Sequence, residues 1–167
     1  MALSTPDFEA WYAENHARLA ATLAVSSGDL DLARECTDEA FARALERWQR
    51  VRAMDQPEGW VYRVALNDLR RRARRRSVER SLLRREHQPG TVDATDPRHP
   101  VWEAVGALPE RMRTAVALRY VADLTELQVA EAMGIARGTV AATLHEARRR
   151  LGAFLQPDSD EEVVPHA

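Results

Sequence analysis

Residues 124–151 read "LTELQVAEAMGIARGTVAATLHEARRRL". The stretch divides into a short helix, a turn at Met133-Gly134-Ile135 and a longer helix, which is the spacing of a helix-turn-helix. In the longer helix Val140, Leu144, Ala147, Leu151 and Phe154 recur at three and four residues, burying one side and offering the other. The offered side carries Ala141, Ala142, Thr143, His145 and the acid Glu146. A helix that enters a DNA groove normally presents basic and amide groups there. An ordinary helical hairpin has the same turn chemistry, so the stretch fixes helical architecture before it fixes a ligand.

Outward from this stretch, helical periodicity is nearly continuous, glycine and proline are scarce, and no strand pattern convinces. The expected fold class is all-α. A first helix is predicted from about Pro6 to Val25. Gly28 breaks the chain, and Asp29 can cap a second helix reaching about Arg52, with Ala33, Cys36, Ala40, Phe41, Ala44, Trp48 and Val51 inward. "MDQPEGW" (54–60) starts a third: Asp55 is a candidate cap, Pro57 sits early, and Glu58 suits the positive end of the dipole. This helix should run from Pro57 towards Glu86, turning Trp60, Val61, Val64, Ala65 and Leu69 inward. Beyond Leu69 it becomes "RRRARRR" (70–76), loses its apolar stripe and should leave the core.

Residues 87–100, "HQPGTVDATDPRHP", have no periodicity and hold three prolines, the composition of a flexible linker. Four helical segments follow, at about 101–107, 109–122, 125–133 and 137–155. Leu108-Pro109 restarts the second, Asp123 and Thr125 flank the start of the third, and Gly134 precedes the fourth. The last residues, 156–167, are acidic and lack a core pattern, so a disordered tail is expected. The organisation predicted is a small helical domain over 1–86, the linker, and a second small helical domain over 101–155.

The chain has 167 residues and a formal net charge of −2, so it is no polycation overall. All 24 basic residues are arginine. A G- and C-rich genome explains that bias most simply, yet arginine also grips phosphate bidentately. The single cysteine excludes an internal disulfide framework and fits a reducing compartment. No basic leader and no long apolar run occur, so a soluble cytoplasmic protein without membrane insertion is expected. The five histidines are scattered, with no metal-ligand spacing, phosphate loop or nucleophile elbow. Neither an enzyme nor a cofactor or metal site is expected. Cys36, on the inward face of its helix, reads as a structural thiol.

Between Arg63 and Glu86 ten arginines stand against three acids. Such density calls for a counter-surface, and a phosphate backbone supplies one. Trp60, Tyr62, Arg63 and Asn67 lie just before it. Trp60 and Tyr62 cannot share one narrow stripe, so at least one ring should lie near the basic surface. Rings beside arginines suit single-stranded DNA, whose bases stack while its backbone meets the charges.

The order of segments adds to this. "ARECTDEAFARALERW" (33–48) precedes "PEGWVYRVALNDLRRRARR" (57–75), then the linker, then "ALPERMRTAVALRYVADLTELQVAEAMGIARGTV" (107–140). The series resembles the extracytoplasmic-function (ECF) family of bacterial RNA polymerase sigma factors, over most of residues 8–155. The resemblance implies a first domain like sigma region 2 and a second like sigma region 4. It implies that Asp38, Glu39, Phe41, Arg43 and Arg47 grip the clamp of the largest subunit of core RNA polymerase. It places capture of the melted promoter element on Trp60, Tyr62, Arg63, Asn67, Arg70, Arg71 and Arg74. The linker, with Asp93 and Asp96, would thread towards the RNA exit path. The recognition helix would meet the upstream promoter DNA through Arg137, Thr139, Ala141, Ala142, His145, Arg148 and Arg149, and the same domain would meet the polymerase flap. An anti-sigma factor is a further partner of the kind implied.

The sequence departs from the family at Ala136, Ala141, Ala142, Thr143 and Glu146, where serine, lysine and arginine are frequent. Lack of a side-chain cap at Ala136 costs about 1 kcal/mol of helix stability. Methyl groups can still touch thymine, His145 can donate, and Glu146 can accept from cytosine. Two other readings stay open from the residues: a stand-alone helix-turn-helix regulator, and a non-initiating decoy that binds polymerase.

Overall fold

The computed structural model describes residues 5–82 and 100–155. Helices run at Thr5–Ser27 (α1), Leu30–Glu46 (α2), Trp48–Val51 (α3), Pro57–Leu82 (α4), Pro100–Gly106 (α5), Glu110–Val116 (α6), Glu126–Met133 (α7) and Arg137–Leu155 (α8). Among the described residues there is no strand, and the chain is all-α. The linker reading for 87–99 and the tail reading for 156–167 lie outside the described residues.

In the first half, α2 begins where Asp29 accepts a hydrogen bond from the Leu32 amide at 2.9 Å, filling one of the orphan donors of the first turn. Its inward face is Leu32, Ala33, Cys36, Thr37, Ala40, Phe41 and Ala44. The expected single helix to Arg52 is interrupted at Arg47, whose φ of −119° leaves helical geometry. The interruption delivers Trp48 into an aromatic cluster, 5.2 Å from Phe8 and 5.0 Å from Trp11 between ring centroids. Trp11 also stacks edge-on to Phe41 and donates from its indole nitrogen to Glu58 of α4 at 2.9 Å. These rings supply much of the apolar area that joins α1, α2 and α4.

α4 turns Val61, Tyr62, Ala65, Leu66 and Leu69 into this core. It does not leave the body after Leu69, as its loss of apolar pattern suggests. Arg72 reaches Glu35 at 3.0 Å and Arg76 reaches Asp29 at 2.7 Å, so α2 offers its own acids to the arginine-rich turns. Part of the counter-surface expected from phosphate is therefore built in.

In the second half, Thr125 caps α7 by accepting from the Gln128 amide while Gln128 returns a bond to the Thr125 amide. Gly134 closes α7 with φ 66°, a left-handed turn that a side chain would strain. α8 then buries Val140, Leu144 and Ala147. Phe154, expected on that inward face, is exposed, because α8 outruns the helices it packs on. The predicted helix 109–122 is α6 followed by a wider turn over Ala117–Val121, where Ala122 N–H bonds the Ala117 carbonyl at 3.0 Å.

The two halves do not hold separate cores. Their buried side chains form one contiguous cluster, with α1 against α6 and α4 against α7. The Ser26 and Thr114 hydroxyls meet at 2.7 Å in the buried seam between them.

Candidate nucleic-acid interface

Helical geometry sorts the residues of α4. Trp60, Arg63, Asn67, Arg70 and Arg74 recur at three and four residues and share one face, away from Val61, Ala65 and Leu69. Trp60 is half-buried at the edge of the core, and Arg63, Asn67 and Arg74 are exposed. Among the described residues Arg63, Arg70 and Arg74 make no ion pair, so their guanidiniums are available to an anion.

Other arginines are already engaged. Asp68 is only 3% exposed and accepts from Arg71 and, at 2.7 Å, from Arg72. Burial alone would raise its carboxyl, but the two guanidinium bonds outweigh it and hold it below its ordinary value. Arg71 still borders the exposed face, with its charge largely balanced. The i, i+3 and i, i+4 spacing of Asp68 to Arg71 and Arg72 was a legible signal of this pairing.

Tyr62 is corrected. It is 1% exposed, inside the core, and cannot stack on a base. Of the two rings, Trp60 is the one near the basic surface. Burial pushes the Tyr62 phenol up, and neighbouring Thr22 offsets this only in part. The Thr22 hydroxyl donates to the Arg18 carbonyl at 2.7 Å, which leaves its oxygen lone pairs as the nearest acceptor for the Tyr62 phenol.

On α2, Phe41 is likewise a core residue, 2% exposed and packed on Trp11 and Tyr12, and is not a surface contact. Asp38, Glu39, Arg43 and Arg47 do remain accessible. Asp38 meets His16 of α1 at 2.8 Å, and Arg43 donates to Glu39 at 2.9 Å. Cys36 is buried against α4, which pushes its thiol up to about 12, as a structural thiol requires.

The exposed side of α8 holds Arg137, Thr139, Ala142, His145, Arg148 and Arg149, with Ala141 half-buried beside them. Its cations are mostly occupied. Arg149 donates twice to Glu146 at 2.7 Å and Arg150 once at 2.8 Å, which holds the Glu146 carboxyl down at about 2. Arg137 lies 3.7 Å from Glu126, and Arg148 folds back on the Leu144 carbonyl. Glu146 thus withholds two cations from a ligand besides adding a negative charge. Among the described residues no group of histidine, cysteine and carboxylates could hold a metal ion.

A family model described as Sigma-70, region 4 matches residues 98–151, essentially α5 to α8. The ECF RNA polymerase sigma factor SigL of Mycobacterium tuberculosis is 30% identical over 138 residues, covering 78% of this chain and 78% of that protein. The chain belongs to the ECF sigma factors. An uncharacterized protein of Rhizobium meliloti is 28% identical over 154 residues, 83% of this chain, and the chain spans 36% of its length. The sigma factor RpoE of Bartonella quintana, solved with the anti-sigma factor NepR, shares the fold at TM-score 0.77 and 18% identity, over 91% of this chain and 98% of that one. As an ECF sigma factor the chain directs transcription initiation and is not an enzyme; RNA polymerase and promoter DNA are its partners. A stand-alone regulator or a decoy is not favoured by such relatives. No helix among the described residues is long and apolar enough to cross a membrane.

Proposed function

We propose that this sigma factor captures the melted promoter strand on the Trp60–Arg74 face of α4, in the cytoplasm. The exposed part of α2, with Asp38, Glu39, Arg43 and Arg47, grips the polymerase clamp. α8 lies along the upstream duplex, and the second half meets the flap. The observation that carries the reading is the alignment of Trp60, Arg63, Asn67, Arg70 and Arg74 on one face, where three guanidiniums make no ion pair among the described residues. One ring for a base and a row of charges for the backbone is the composition a single-strand site needs. An anti-sigma factor binding the same faces would compete with both polymerase and DNA.

The test is the pair Arg70→Ala and Arg74→Ala, assayed with core polymerase. Open-complex formation on duplex promoters should fall while core binding persists, and a pre-melted promoter should restore part of the loss. Two lost phosphate contacts should also flatten the salt dependence of single-strand binding by about 1.4 in log–log slope. A pre-melted promoter that restores nothing overturns the assignment.

A further inference from the structure

The arginines of α4 divide by what faces them. Towards α2 they are neutralised within the chain: Arg72 meets Asp68 and Glu35, and Arg76 meets Asp29. Towards the second half they are not. A cavity of about 670 Å³ opens there, with Arg70 and Arg74 on one wall and Arg111 of α6 on the other. Among the described residues none of these three guanidiniums makes an ion pair. Arg70 is half-buried, and Arg74 and Arg111 are exposed. Among the described residues lining the cavity, Glu110 is the one carboxylate. The surplus of positive charge around a single cleft favours an anion from outside the chain.

The lining narrows what that anion is. Arg70 and Arg74 stand one turn apart, about 6 Å along α4, and Arg111 faces them across the cleft. Each guanidinium fork grips phosphate bidentately, so three of them suit a chain of phosphoryl groups better than one. Ala73, Met133 and Ile135 add an apolar surface to the same cavity. A nucleobase covers such a surface with its ring face, and the Met133 sulfur favours aromatic contact. Glu110 repels phosphate, which directs the charged end of a ligand to the arginines and leaves the carboxylate to accept from a sugar hydroxyl. The volume also falls inside the range of roughly 300–1,000 Å³ usual for small-molecule sites.

We propose that this cavity binds a nucleoside polyphosphate, with its phosphates on Arg70, Arg74 and Arg111 and its base on Ala73, Met133 and Ile135. The promoter strand accounts for Arg70 and Arg74. It gives no role to Arg111 or to the apolar wall of Met133 and Ile135, which belong to the second half. The site therefore goes beyond the strand-capture reading and stands without it. One consequence does rest on that reading: bound nucleotide occupies two guanidiniums that the strand uses, so the two ligands compete.

The test is isothermal titration of the full chain with ATP and GTP, at physiological ionic strength and without magnesium. Adenosine and inorganic triphosphate serve as comparison probes. Both nucleotides should bind far more tightly than adenosine, which lacks the phosphates, and severalfold more tightly than triphosphate, which lacks the base. Arg111→Ala should weaken ATP binding about tenfold, the loss expected when a charge-assisted hydrogen bond goes. Arg111 is exposed, so this variant keeps its fold. Arg111→Lys retains the charge without the fork and should recover part of the loss. Arg75→Ala removes an exposed cation of α4 outside the cavity and should leave ATP affinity unchanged. ATP should also displace a labelled mixed-sequence single strand from the parent chain, and Arg111→Ala should need about tenfold more ATP for the same displacement. ATP binding no tighter than adenosine, or equal losses in Arg111→Ala and Arg75→Ala, overturns the site. Triphosphate that matches ATP overturns the nucleoside assignment. Nucleotide binding that depends on Arg111 yet leaves the strand in place upholds the site and overturns instead the strand's use of Arg70 and Arg74.

Discussion

Replacing Asp68 by Asn isolates the charge that organises the basic half of α4. The side chain of Asp68 is 1% exposed, against 54% for Arg71 and 32% for Arg72. A hydrogen bond to a charged group contributes about 1.5–3 kcal/mol. The Arg71 bond, more than half in solvent, is worth only a fraction of that. The Arg72 bond is better shielded and also fixes the link to Glu35 on α2. Asparagine keeps one acceptor and turns an amide towards a guanidinium. The expected loss is about 2 kcal/mol, or roughly 4–8 °C in Tm for a chain of this size. The pH dependence has a definite sign. Because the folded carboxyl lies below its ordinary value of 3.8, Asp68 contributes stability in full above that value. The contribution is lost as pH falls through the lower folded value. Urea unfolding followed by circular dichroism should show parent and Asn forms differing by a constant amount from pH 7 to about 5 and converging below pH 4. A difference under about 0.5 kcal/mol at pH 7, or one that persists undiminished into acid, would refute the view that this pair anchors α4.

Tyr62→Phe removes a buried hydroxyl whose one neighbouring acceptor is Thr22, so unfolding should show stability changed by no more than about 1 kcal/mol; open-complex assays should show full activity, whereas a stacking role would show a defect. Glu146→Gln releases Arg149 and Arg150 and removes a carboxylate that is ionised at any working pH; duplex binding across a salt series should steepen, by up to about 0.9 in slope for each new phosphate contact. An unchanged slope would mean that α8 faces protein instead of DNA. Exchanging the charges in Glu39→Arg with Arg43→Glu preserves an i, i+4 pair and should leave helicity intact, yet co-purification with core polymerase should be lost; retained binding removes α2 from the interface.

The helices and their faces are legible from the residues alone, because 3.6-residue periodicity and capping chemistry are local. Asp29, Thr125 and Gly134 act at the helix ends where their residue types placed them. The order of segments was enough to suggest the family, since that order is a property of the chain and needs no packing. What it misjudged were side chains whose setting depends on a distant helix. Tyr62 sits in a stretch that resembles a contact surface, but the tight approach of α4 places it inside; Phe41 lies inside as the periodicity of α2 requires, and only the resemblance set it on the contact surface. Which arginines are paired depends on packing between helices. Asp29 and Glu35 lie far from Arg72 and Arg76 in sequence and touch them solely because α2 and α4 pack side by side. The contact of Ser26 with Thr114, across the linker, is of the same kind. Local pattern cannot forecast it, because closing so long a loop is decided by the sum of both surfaces.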